Sequence, residues 1–169
     1  MRTIVIHPHS VLRQCAQPVA KIDASIESLV AQMIEVMHAE GGIGLAAPQI
    51  GVSKRIFVTV GQSEDGGDEK VFVNPKFLLI DGVLGAQEEG CLSLPEIRGS
   101  VRRQPHAVIE ATGLNGELFT MESAELMARC WQHEVDHLDG ILIIDRMSPI
   151  DRLVNRKRLR ILESAQERE

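Results

Sequence analysis

Nowhere does this 169-residue chain carry an apolar run near the ~20 residues that a bilayer-spanning helix needs. Its opening stretch, Met1-Arg2-Thr3-Ile4-Val5-Ile6-His7, is too short in apolar residues for a secretory signal. Cysteines number only three, an odd count that argues against a disulfide framework and for a reducing cytoplasm. Positive charge is in deficit: 18 Lys and Arg against 24 Asp and Glu give a net charge of −6, which argues against general nucleic-acid binding. Repeats and long linkers are absent too. What is left is an ordinary globular composition, 44% hydrophobic and 25% charged, long enough for one domain over residues 1–169 with a real core.

Against that background one short run stands out: His133-Glu134-Val135-Asp136-His137. On a helix, positions i and i+4 lie above one another, so two imidazoles can bind one metal ion. A glutamate between them can activate a bound water. The flanks support a helix from Ser123 as N-cap to Gly140 as terminator, with no proline between. At 100° per residue, Glu125, Arg129, Gln132, Asp136 and Asp139 fall on one polar stripe. Leu126, Met127, Cys130, Trp131, Val135 and Leu138 cover most of the rest, which leaves His133, Glu134 and His137 facing inward. Core histidines bonded to backbone are the plainer explanation, but a buried carboxylate beside them needs a partner.

A catalytic metal usually takes three protein ligands and keeps one position open. A third histidine six residues past the second is excluded, since that position is Ile143. The remaining candidates lie upstream: Cys15, Cys91, Cys130, His7, His9, His38 and His106. Cys15 and Cys130 read as core. Cys91 sits on a turning strand, with Gly90 freeing the backbone before it and Pro95 halting regular structure after it. Chemistry alone leaves Cys91 level with the others combined.

Elsewhere, Ile26, Leu29, Val30, Met33, Ile34 and Met37 recur at helical spacing and predict a helix over 24–40, ended by Gly41-Gly42. Strands are predicted at 55–60, 71–73, 77–80, 107–112 and 117–121, with a polar loop at 61–68 and an Asn115-Gly116 hairpin turn. Ser148-Pro149 opens a final helix. Its Ile150, Leu153, Val154 and Ile161 form an apolar edge for docking, and Arg152, Arg156, Lys157, Arg158 and Arg160 project outward. The fold expected is α+β, with antiparallel strands packed around a central metal-binding helix, a helix in the N-terminal half and another at the C-terminus.

Three segments carry a family resemblance. Gly42-Ile43-Gly44-Leu45-Ala46-Ala47-Pro48-Gln49, Glu89-Gly90-Cys91-Leu92-Ser93 and Gln132-His133-Glu134-Val135-Asp136-His137 resemble, in order, the three motifs of the peptide deformylases. The likeness extends over essentially the whole chain, and the lack of a transit segment or insertions resembles the compact bacterial type. It implies hydrolysis of the N-formyl group from the initiator methionine of nascent polypeptides, with release of formate. It further implies that Cys91, His133 and His137 hold one divalent metal, Fe2+ by family likeness with Zn2+, Ni2+ or Co2+ as substitutes. Glu134 would move protons, while the Gln49 side-chain amide and the Leu92 N–H would stabilise an oxyanion. Ile43, Gly44, Arg98 and Cys130 would bind substrate, Gly44 by letting an extended peptide approach its backbone. A zinc peptidase of the His-Glu-x-x-His class is the alternative. The basic C-terminal helix further suggests weak ribosome association despite the acidic total.

Overall fold

The computed structural model describes residues 2–61 and 68–166, so most of the loop expected at 61–68 lies outside the described residues. The first helix, α1 (Ala24–Ala39), is capped by the Asp23 carboxylate, which accepts from the Ser25 and Ile26 N–H groups. Its buried face, with Met33 and Met37 fully enclosed, packs on Leu45, Ile50, Ile56 and Val58. Strand β1 (Gly44–Ala46) follows, and β2 (Ile56–Thr59) pairs with it antiparallel.

The next strand, β3 (Lys70–Asp81), joins the two pieces expected at 71–73 and 77–80. Pro75 does not break it, because the ladder to its neighbour slips there, between Val73 and Lys76. Residues at Gly85–Cys91 (β4) and Leu94–Arg103 (β5) form an antiparallel ribbon that periodicity missed. Pro95 lies inside β5 rather than ending regular structure. The hairpin β6 (His106–Thr112) and β7 (Leu118–Ala124) closes around the expected turn. The main sheet runs β1-β2-β3-β6-β7, and every strand pairing in both sheets is antiparallel.

Helix α2 (Glu125–Leu138) starts one residue later than expected. Ser123 is paired to Ala107 in the β6–β7 ladder, so the strand keeps it and Ala124 takes the N-cap without a side-chain bond. Trp131 of α2 is enclosed against Phe72, with ring centroids 5.6 Å apart, and this contact seats the helix on the sheet. After the short α3 (Ile143–Arg146), the expected terminal helix is two: α4 (Pro149–Val154) and α5 (Arg156–Gln166), separated at Asn155. Docking uses Leu159 and Leu162 against Leu94, Ile97 and Val101. Ile150, Leu153, Val154 and Ile161 are exposed, so the apolar edge expected to dock faces outward. Cys15, read as core, is exposed as well.

Candidate metal centre

Helix geometry and the β4–β5 ribbon bring the three expected ligands to one point. His133 and His137 stand one turn apart on α2, and their Nε2 atoms are 3.2 Å from each other. Cys91, the last residue of β4, brings its Sγ to 3.3 Å from the His137 Nε2. Two nitrogen donors on a common metal, each about 2.1 Å from it, are about 3.4 Å apart at a tetrahedral angle. The donor set and its spacing therefore fit a single cation. Among the described residues this trio is the one cluster of His, Cys, Asp and Glu assembled that way. Cys15, His7, His9, His38 and His106 are not part of it.

Glu134 lies beside the trio, on the wall of a cleft of about 570 Å3. Its side chain is buried, and Oε2 has no hydrogen-bond partner among protein groups. Set by protein groups alone, burial lifts its pKa to about 7, although the positive charges of His133 and Arg103 pull downward. Gly44 accounts for how it fits. A Cβ at position 44 would stand 2.6 Å from the Glu134 Oε1 and 2.7 Å from the Cys130 Sγ. The missing side chain thus makes room for the Glu134 carboxylate.

Gln49 is buried in the turn after β1. Its Oε1 accepts from the Ala46 N–H at 2.9 Å, which turns Nε2 toward the Ser93 Oγ at 3.4 Å and the Cys91 Sγ at 3.6 Å. Leu92 is in the turn between β4 and β5 and lines the same cleft. Ile43, Gly44, Arg98 and Cys130 all line it too. Cys130 is buried, and burial followed by the Glu134 charge pushes its thiol well above the usual range. Arg98 stands at the rim, its Nη1 3.5 Å from the Glu88 Oε1, with both side chains largely exposed.

A charge network behind the ligands was not expected. Arg129 and Asp136, assigned to a solvated stripe, are buried. Glu89 accepts from Arg103 Nε at 2.7 Å, from Arg129 Nη2 at 3.1 Å, and pairs through Oε2 with the His133 Nδ1 at 3.1 Å. Arg103 reaches on to Asp136 at 2.9 Å, and Asp136 is gripped twice by Arg146 at 2.6 Å. Buried ions are tolerable only when paired and hydrogen-bonded, and here each carboxylate meets at least two cationic partners. Burial works against the Glu89 charge, yet the bonds from His133 and Arg103 win and hold its pKa at about 2. The bond from Glu89 fixes the His133 ring with Nε2 toward Cys91 and His137, the carboxylate support that metal-bound histidines commonly have. Burial also opposes charge on His133, but its bonds to Cys91 and Glu89 lift it to about 10. Burial and the neighbouring His133 charge push His137 the other way, keeping it neutral. The one signal in the sequence was Glu89 itself, two residues before Cys91; its direct partners come from β5 and α2, and the network runs on to α3.

Comparison with known proteins agrees with this geometry. The family model described as Polypeptide deformylase matches residues 1–153. A peptide deformylase of Acidobacterium capsulatum is 44% identical over 168 residues, covering 99% of this chain and 98% of its own. A solved peptide deformylase from Plasmodium falciparum superposes with a TM-score of 0.91 at 34% identity, over 98% of this chain and 97% of that one. An Arabidopsis thaliana peptide deformylase in complex with an inhibitor gives 0.92 at 37%, over 98% and 92%. Fold, motifs and relatives converge, and the chain belongs to the polypeptide deformylase family, a family of metal-dependent enzymes.

Proposed function

We propose that Cys91, His133 and His137 hold one divalent metal ion and that Glu134 is the proton carrier of the reaction. Membership of the family gives the activity itself: hydrolysis of the N-formyl group from the initiator methionine of nascent polypeptides, with release of formate. A bound divalent ion supplies a Lewis acid that lowers the pKa of water toward neutrality. Glu134 takes a proton from the attacking water at its Oε and passes it to the departing amine as the formyl C–N bond breaks. Buried beside the three ligands on the wall of the cleft, its carboxyl is in place for both halves of that transfer. The Gln49 Nε2 and the Leu92 N–H stabilise the charge on the formyl oxygen, a contribution of about 3 kcal/mol per donor. Ile43, Gly44, Arg98 and Cys130 form the walls that receive the formylmethionyl end.

One observation carries the reading: three metal donors, two imidazole nitrogens and a thiol sulfur, within 4.8 Å of one another, with a buried carboxylate beside them and a glycine vacating its space. A zinc peptidase cutting internal bonds is not favoured, because the third donor is a thiol on a deformylase motif. Formate release from formyl-Met-Ala-Ser, run beside digestion of an unblocked peptide, separates the two. Digestion without formate would reverse the assignment.

Three further readings rest on this one. The ion is Fe2+, supported by the family likeness, although the affinity order alone favours Zn2+. Residues 1–169 act as one domain in the cytoplasm, where formylated chains are made; no helix among the described residues is long and apolar enough to cross a membrane. Finally, Arg152, Arg156, Lys157 and Arg160 are exposed and support weak, salt-sensitive ribosome binding. Arg158 does not join them, since it turns toward Pro95 and Glu96. Co-sedimentation with ribosomes at low and high salt, against a chain ending at Met147, tests this; equal pelleting of the two would leave the helices as structure only.

A further inference from the structure

Strand β5 pairs with β4 along one edge, and its other edge would present a bare row of N–H and C=O groups. Helices α4 and α5 close that edge with side chains. The Ser100 N–H donates to the Asp151 Oδ2 at 3.0 Å, and the Asn155 Nδ2 donates to the Arg98 carbonyl at 2.7 Å. The Arg158 Nε donates to the Pro95 carbonyl at 3.3 Å, and its Nη2 pairs with the Glu96 Oε2 at 3.2 Å. Asp151 of α4, Asn155 at the junction and Arg158 of α5 are spaced by four and three residues, so side chains from both helices meet successive groups of one strand. Gly99 permits the approach: a Cβ there would stand 3.0 Å from Met147 and 3.2 Å from the Asp151 Cβ. Glu96, at φ +63, occupies a backbone region that only a fixed environment maintains.

What this face grips is the outer wall of the cleft. Glu96, Ile97 and Arg98 all line it, and the exposed side chains of Glu96 and Arg98 lie at the rim, unlike the buried Glu134. Substrate groups remote from the formyl carbon are the ones that reach the rim. We propose that Asp151, Asn155 and Arg158 are positioning residues that fix β5 at Pro95–Ser100 and thereby set affinity for the peptide beyond its first residue. The inference rests on the deformylase reading.

The test compares formyl-Met with a formyl-tetrapeptide, using the full metal-loaded chain and the variants Asn155→Ala and Arg158→Ala. Arg152→Ala, on α4 beside Asp151 and without a side-chain bond to β5, is the control. For the first two, KM for the tetrapeptide rises about fivefold, the scale of one uncompensated hydrogen bond, with kcat and KM for formyl-Met unchanged. Amide hydrogen exchange along 95–101 accelerates in both and stays at the wild-type rate in Arg152→Ala. Equal KM changes on the two substrates, a loss confined to kcat, or unaltered exchange along 95–101 would overturn the proposal. Wild-type protein that releases no formate from either substrate would instead overturn the deformylase reading, and the exchange measurement still decides whether the helices hold the strand.

Discussion

At the scale of single residues, Glu134 and Cys91 carry the sharpest expectations. Glu134→Ala should keep fold and metal while formate release falls by about 100-fold or more, the effect of losing a general base. Metal content and turnover on the same preparation check this, and near-wild-type turnover in a loaded mutant would remove Glu134 from the mechanism. Cys91→Ala should lose most of its metal. Cys130→Ala, with a buried thiol that packs against Gly44, should keep its metal and cost about 1 kcal/mol of stability. Metal analysis and thermal melts on the two separate the roles; the reverse pattern would transfer the ligand assignment to Cys130. Cys91 came from the family resemblance, whereas the pair His133 and His137, with Glu134 between, was legible because its logic is local: two imidazoles four residues apart declare a shared face. Glu89, Arg103, Asp136 and Arg146 were not, because a helical wheel sorts residues by polarity and cannot see a charge buried by partners from β4, β5 and α3.

Whole elements follow the same division between local and distant causes. Helix α1 was readable, since its apolar spacing and the glycines just past its end are signals local to it. The β4–β5 ribbon was not. Its exposed and half-buried residues follow no alternation on β4, and its support comes from helices about fifty positions later. Sheet edges also decide where α2 begins, because strand pairing to Ala124 outweighs a serine cap at Ser123. The main sheet holds a pH-dependent tie of its own. His106 on β6 meets Asp81 of β3 at 2.5 Å and Glu122 of β7 at 2.8 Å. Its bonds to Glu122 and then Asp81 raise its pKa above 6.5. The folded state therefore holds the proton more tightly than the unfolded chain. The resulting stability is complete below the unfolded value and fades as pH rises through the folded one. Melting temperatures of wild type and His106→Gln should differ most at about pH 6 and converge as the pH rises through the raised folded value. A gap of constant size would mean that the ring contributes packing alone.

For the molecule as a whole, the candidate metal site is where three packing clusters meet. Cys91 packs with the cluster of Leu94, Ile97 and Leu142; Trp131 and Leu138 of α2 belong to the sheet cluster; Leu92 leans on the α1 cluster. Metal chemistry therefore reads out at the level of the enzyme. The Fe2+ form should lose activity in air, since ferrous iron and a thiolate both oxidise, and exchange for Ni2+ should protect it. Activity decay of anaerobically prepared and nickel-exchanged protein, followed in parallel, checks the metal; identical decay would point to Zn2+. The network of Arg129, Glu89, Arg103 and Asp136, buried behind the exposed Arg146, has a separate consequence for how such a protein can change. Removing a buried member such as Arg103 unbalances the interior charge, and breaking a buried pair typically costs about 3–5 kcal/mol, against a total stability of about 5–15 kcal/mol. A library that randomises Arg103 alone should return arginine at that codon almost every time, whereas one that varies Glu89, Arg103 and Asp136 together can reach apolar replacements. Mutational drift here is gated: the route to a different interior passes through simultaneous changes on β4, β5 and α2.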